Sequence, residues 1–260
     1  MNKTSNTLLI VEGSKTEPSI FLEVFKKYGF SVKNETKLSI DDIGQFDSYE
    51  FDNSKDNIII VEGPRNRIHD LLLLINDPMI SIERVFNSAY AHFQRIFLIY
   101  DVDHNDCDDI EQMMKQFSDE SSEMLLLSSP CIEVIADFNR NRSECKYHHL
   151  KEYKNEINEF YNGQTMKYIH DNFEKLMLYF LKKNFADFNE SNVVEHPHLV
   201  AKQINKENER HNSKHDSYVI YRYFTTVIYV AIACANHLTK QIDNYKDVIR
   251  FFEMKCVENN

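Results

Sequence analysis

The sequence predicts an α/β fold in its first half, a parallel sheet with helices on both faces, followed by an all-helical C-terminal half. Three observations carry this. Short apolar runs at residues 7–11 (TLLIV), 58–61 (IIIV), 96–100 (IFLIY) and 124–127 (MLLL) stop abruptly at polar residues. Runs of that length without polar alternation are the pattern of strands buried on both faces. Between them lie stretches with helical apolar spacing, and alternation of the two types implies parallel strands joined by right-handed crossovers. After about residue 142 the spacing is helical throughout, which gives domains at 1–142 and 143–260.

The first run ends at Glu12-Gly13, and Ile20, Phe21, Val24 and Phe25 then repeat at helical spacing. Thr16 suits the cap of that helix and Pro18 its first turn. Residues 31–57 are polar and irregular, with one weak strand signal. The strand at 58–61 ends in Glu62-Gly63-Pro64, and Ile68, Leu71, Leu72 and Ile75 mark a helix over 66–77. A further helix is expected over 81–93. The strand at 96–100 is followed by a helix through Ile110, Met113, Met114 and Phe117. The strand at 124–127 leads into Ser128-Ser129-Pro130, which caps a helix through Ile132, Val134, Ile135 and Phe138. In the second half, helices are expected at 150–161, 165–184, 197–209, 216–236 and 242–255.

The chain has 260 residues, enough for a substantial core, with only 5 Gly and 5 Pro. Its formal net charge of −11 is unlike that of a protein holding nucleic acid by general electrostatics. Any such site must rest on a local basic patch or on metal ions. The 5 cysteines form no CxxC pair, which points to a reducing, cytoplasmic setting and away from a disulfide framework. The apolar run at the N-terminus is too short for a signal peptide. The stretch 218–235 is apolar but contains Arg222 and several tyrosines, so it reads as a buried helix and no membrane partner is expected.

The chemistry centres on the end of the 96–100 strand. Asp101 and Asp103 lie two residues apart, so in extended backbone their carboxylates share a side. Adjacent carboxylates repel unless a cation sits between them. A divalent metal site is therefore expected at the C-terminal end of a buried strand, where open α/β sheets keep their ligands. An EF-hand is excluded, because Asp106 and Gln112 stand where Gly and Glu are required. The second constellation is Glu12-Gly13-Ser14-Lys15-Thr16-Glu17. Gly13 permits a sharp turn there, and the plain reading of Glu17 is a first-turn carboxylate complementing the helix dipole.

Glu12-Gly13 after the first strand, Gly63 after the second and Asp101-x-Asp103 after the third form an ordered set. In this the chain resembles the Toprim domain, the Rossmann-like catalytic domain of topoisomerases, primases and a group of nucleases. The resemblance covers roughly residues 5–130. VEGSKTEP is similar to the opening of RloB-like and OLD-type Toprim nucleases, and Ser129-Pro130-Cys131-Ile132-Glu133 resembles the RloB-like Pro-Cys-aromatic-Glu motif with Ile132 in the aromatic place. His104-Asn105-Asp106 departs from the family pattern by its polarity.

The resemblance implies a metal-dependent nuclease of bacterial antiviral defence, cutting DNA or RNA, transfer RNA included. Asp101 and Asp103 would hold Mg²⁺ or Mn²⁺, with Glu12 as a ligand or general acid/base. Glu17 and Glu133 are the candidates for a second metal, the pair of ions serving an in-line phosphoryl transfer. Lys15 is placed to meet the scissile phosphate, or else is a solvated loop lysine. An ABC- or SMC-type ATPase encoded nearby is the implied partner, since the chain has no Walker A motif of its own. A homodimer is compatible with this reading. The rival reading is a catalytically silent Toprim module that binds a structural cation and a partner protein.

Nucleic acid would meet Arg65 and Arg67 after the second strand, and Arg140, Arg142 and Lys146 after Glu133. The histidine groups 148–149, 196–198 and 211–215 lack further ligands at zinc spacing. Cys131 has no neighbouring base in sequence to make it a nucleophile. The tyrosines around 218–229 are expected in the core.

Overall fold

A computed structural model of the chain describes residues 4–13, 15–35, 50–63, 93–102, 107–116, 118–119, 123–140, 142–184, 206, 219–227, 230 and 245–258. The helix expected over 66–77, all but the last residue of that over 81–93, all but residue 206 of that over 197–209, and the site residues Asp103, Arg65 and Arg67 lie outside these.

The apolar runs become strands. They are β1 (Asn6–Val11), β3 (Asn57–Glu62), β4 (Arg95–Asp101) and β6 (Glu123–Ser129). The weak signal after residue 31 is β2 (Ser31–Glu35). Strand β5 (Ser118–Asp119) is short. Leu8 through Val11 and Ile58 through Val61 are all buried, as continuous apolar strands must be. Strands β2, β3, β1, β4 and β6 form a parallel sheet in that order. Val11 is in register with Glu62 on one side and Ile99 on the other. On β6, β5 and a further strand, β9 (Phe224–Thr225), pair antiparallel.

Helix α1 (Thr16–Lys27) buries Glu17, Pro18, Ile20, Phe21, Val24 and Phe25, the face its spacing predicts. Lys15, not Thr16, takes the cap position, with no side-chain capping bond. Helix α2 (Cys107–Gln116) buries Ile110, Met113 and Met114. After β6 comes a shorter helix than expected, α3 (Val134–Asp137), continued by a 3-10 turn at Phe138–Arg140. Ser128 does not cap it: its hydroxyl shares a 2.8 Å hydrogen bond with Thr225. Helices α4 (Leu150–Phe160), α5 (Thr165–Asn184) and α6 (Tyr245–Glu258) follow close to the expected bounds.

The second half is not all-helical. β7 (Glu144–Tyr147) and β8 (Val219–Arg222) form an antiparallel pair, and β9 joins the main sheet. Residues 219–225, VIYRYFT, are β-branched and aromatic, types that fit a pleated surface better than a helix. Their length suggested a helix only because the apolar run continues beyond them.

The chain divides into two compact units, Met1–Ile99 with Asp108–Leu125, and Tyr100–Cys107 with Leu126–Asn260. Strands β4 and β6 pass from one to the other. In the first, Phe21 stacks on Phe25 and Phe25 meets Phe30 edge-on beneath the sheet strands. In the second, Phe138 stacks on Phe180 of α5 at 4.3 Å, and Val248, Phe251 and Phe252 line the buried face of α6. Among the described residues no helix is long and apolar enough to cross a membrane.

Candidate metal centre

In the second unit, Asp101 is the last residue of β4 and is buried. The next residue holds its place on β6: Val102 N–H donates to the Ser128 carbonyl at 2.8 Å. Beyond Ser129 a cis peptide leads to Pro130, and Cys131-Ile132-Glu133 turn back towards β4. The turn is secured by Val134 N–H to Cys131 O at 2.9 Å and Ala136 N–H to Glu133 O at 3.0 Å. Its Ile132 N–H donates to Asp101 Oδ1 at 2.9 Å. One carboxylate oxygen of Asp101 is therefore fixed by backbone, and its orientation is set before any ligand arrives.

The other oxygen faces a cation. Lys154 Nζ lies 3.4 Å from Asp101 Oδ2 and 3.7 Å from Glu133 Oε2. Glu133 Oε2 is sealed from solvent and has no hydrogen-bond partner among the described residues. Cys131 is fully buried, and its Sγ and one oxygen each of Asp101 and Glu133 all lie within 4.8 Å of one another. Burial first, then the negative charges of Glu133 and Asp101, push the Cys131 thiol well above its ordinary range, with Lys154 opposing. The thiol is held protonated at neutral pH and is no free nucleophile.

This donor set fits a divalent cation. It offers two carboxylates and a sulfur in one cluster, with an ammonium standing between the carboxylates where a cation would sit. Asp101 and Glu133, both expected at a metal, are brought together here. Cys131 and Lys154 were not expected to join them. Cys131 had a signal, its place two residues before Glu133. Lys154 had none, because it reaches Asp101 across 53 residues of chain.

Glu12 and Glu17, also expected as ligands, lie in the first unit. Glu12, half-buried, follows β1, and its N–H donates to Ile99 O at 3.2 Å. Gly63 N–H donates to Val11 O at 2.8 Å, so the end of β1 is held from both sides. Gly13 is needed for space and not for its turn: positive φ occurs at Gly29 and Gly163, not there. A Cβ on Gly13 would lie 2.2 Å from Glu17 Oε2. Glu17 is a first-turn carboxylate of α1, as its plain reading has it, and a buried one folded back over Gly13. Lys15 is exposed, and its carbonyl accepts from Ser19 N–H at 3.1 Å.

The basic pair after Glu133 is engaged elsewhere. Arg140 bonds Asp137 Oδ1 at 2.9 Å and Glu156 Oε1 at 3.0 Å, and its guanidinium lies 4.1 Å from the centre of the Phe160 ring. Arg142 bonds the same Glu156 oxygen at 2.8 Å. Tyr223 donates to Asp137 and Tyr147 to Glu156. A phosphate at either arginine would compete with these carboxylates. Lys146 is exposed on β7. His148 and His149 are exposed, and Tyr221 and Tyr223 are core residues as expected.

Comparison with known proteins adds no neighbour: no family model, curated protein or solved structure matches the chain.

Proposed function

We propose that this chain is a metal-dependent nuclease of the Toprim kind, hydrolysing phosphodiesters of DNA or RNA in bacterial anti-phage defence. The observation that carries the reading is the cluster of Asp101, Glu133 and Cys131 at the ends of two neighbouring strands of a parallel sheet. The order of motif residues along the chain supports it: Glu12 after β1, Gly63 after β3 and Asp101 at the end of β4. Asp101 and Glu133 would hold Mg²⁺ or Mn²⁺. A bound ion of this class supplies charge stabilisation for a phosphoryl oxygen and acidifies a water. The chain's own residues set the orientation of Asp101 through Ile132 N–H and keep Glu133 out of bulk water. Lys154, partly exposed beside both carboxylates, would meet an arriving phosphate. The reading extends to a cytoplasmic protein whose activity is governed by a separate ATPase and whose substrates include transfer RNA.

One observation favours a second reading. The Lys154 ammonium already balances part of the carboxylate charge, as in a structural ion pair of a silent interaction module. The purified chain, alone and with the ATPase encoded beside it, should be offered single- and double-stranded DNA, RNA and transfer RNA. Cleavage that requires Mg²⁺ or Mn²⁺ and vanishes in Asp101→Ala is the expected result. Undiminished cleavage by Asp101→Ala would remove the site from the mechanism. Absence of both cleavage and metal binding would leave the module.

A further inference from the structure

Helix α5 carries two stripes. One, with Ile169, Phe173, Met177 and Phe180, is buried in the core. In the other, Lys175, Leu178, Tyr179 and Lys182 recur at i, i+3, i+4 and i+7, so they share a second face of the helix. Among the described residues these four side chains, with Cys256 of α6, line a cavity of about 560 Å³. We propose that this cavity binds a small free anion with an apolar body, such as a medium-chain carboxylate.

Volume, wall chemistry and charge select that class. The volume is that of a small-molecule site, within the usual range of about 300–1,000 Å³. The walls are mostly apolar, built from Leu178, the Tyr179 ring, Cys256 and the stems of the two lysines. Tyr179 is one of the few large apolar side chains that stay exposed among the described residues. Two others, Met254 and Val257, are sequence neighbours of Cys256, so exposed apolar surface gathers at this end of the two helices. The described walls contribute two ammonium groups and no carboxylate, in a chain with 41 acidic and 30 basic residues. The sign of the cavity is thus opposite to that of the molecule, which favours an anion over a cation or a neutral ligand. Lys182 reaches across to Glu253 of α6 at 2.6 Å, which holds its ammonium at the rim. An ammonium has three donors, so Lys182 can serve Glu253 and still meet a second acceptor. Lys175 stands two turns away, about 10.5 Å along the helix axis. An anionic head can therefore be met at one end of the stripe while its body lies along Leu178 and Tyr179.

Anilinonaphthalene sulfonate, an aryl body bearing a sulfonate, is the probe. Its fluorescence should rise and saturate with the full-length chain, and decanoate below its micelle concentration should displace it. Decyltrimethylammonium, the same chain with opposite charge, and acetate, the same charge without the chain, should not. The double variant Lys175→Gln, Lys182→Gln should weaken probe and decanoate by at least ~tenfold, the worth of one charge-assisted hydrogen bond, with unchanged circular dichroism. In the unaltered chain, decanoate should slow alkylation of the partly exposed Cys256 by iodoacetamide in proportion to occupancy, read by peptide mass mapping. That measurement needs no variant, so it decides the matter even if the double variant loses its fold. Displacement by the cation as strong as by decanoate, undiminished binding in the folded double variant, or Cys256 alkylation indifferent to decanoate would overturn the proposal. The cavity shares no residue with the Asp101 cluster, so these outcomes and those of the nuclease assay are independent.

Discussion

Two clusters of charge lie on the same helix, and they are built to different accounts. Around Asp137, two carboxylates meet two guanidinium groups. Arg140 spans Asp137 and Glu156, Arg142 adds to Glu156, and Tyr223 and Tyr147 donate to what remains. Around Asp101, two carboxylates and a protonated thiol meet the Lys154 ammonium. Helix α4 serves both, with Glu156 to the first and Lys154 to the second. Residues two apart on a helix do not face the same way, which is why one helix can reach two clusters. The first cluster pairs carboxylates with guanidinium groups and holds structure together. In the second, one ammonium stands between two carboxylates beside a thiol, which makes it the candidate cation site among the described residues. The contrast also reassigns Arg140 and Arg142, whose charges look available in the sequence and are committed in the fold.

If the contrast is sound, substitutions in the two clusters fail differently. Asp101→Ala should lower metal-dependent cleavage by at least ~100-fold, since even supporting partners of metal ligands are worth 10–100-fold. Its stability in a urea titration should fall only by about 1–2 kcal/mol, for the buried Ile132 N–H left without its acceptor. Asp137→Asn should do the reverse, costing on the order of 3 kcal/mol in a urea titration by stripping a buried guanidinium of its partner. Metal affinity measured by dialysis should be little changed in that variant. Equal behaviour of the two variants would erase the distinction.

Lys154 sharpens it further. Its ammonium repels an arriving divalent ion, so Lys154→Gln should tighten Mn²⁺ binding by roughly threefold to tenfold, screened because the lysine is partly exposed. Weaker binding in this variant would show that Lys154 holds the carboxylates in place instead of competing for them. The smallest effect is alkaline. Burial keeps the Cys131 thiol protonated in the folded chain, while the unfolded thiol ionises near its ordinary value of 9.0. Unfolding then releases a proton, so this contribution is intact below that value and declines as pH rises above it. The decline is at most about 1.4 kcal/mol per pH unit. Cys145, also pushed up by burial, acts in the same direction. Urea midpoints at pH 8 and about pH 10 should fall less in metal-free Cys131→Ser than in wild type.

How much of this was legible differs by region for a physical reason. Strands β1, β3, β4 and β6 announce themselves because a strand buried on both faces has no room for polar residues. Helix α5 was readable from Thr165 to Asn184 because its buried residues, among them Ile169, Phe173, Leu176, Met177 and Phe180, keep a helical period. Strands β7 and β8 were not, since each is only four residues long and is stabilised by a partner some seventy positions away. The site divides the same way. Asp101 and Glu133 follow strands and could be named from chain order. Cys131 was visible only as a motif letter, and Lys154 belongs to the site through the packing of α4, which no local pattern encodes. Gly13 shows a subtler failure, where the residue was read as permitting a sharp turn and instead leaves room for the Glu17 carboxylate.

The shared helix has one more consequence. Glu156 is gripped by two arginines and a tyrosine, so the rotation of α4 about its own axis is set by a cluster that no cation visits. Lys154, carried on the same turn, inherits that setting, and with it the distance of its ammonium from Asp101. A cation held between Asp101 and Glu133 would thus be tuned at a distance, by loosening or tightening a clasp on the helix, without altering a single ligand.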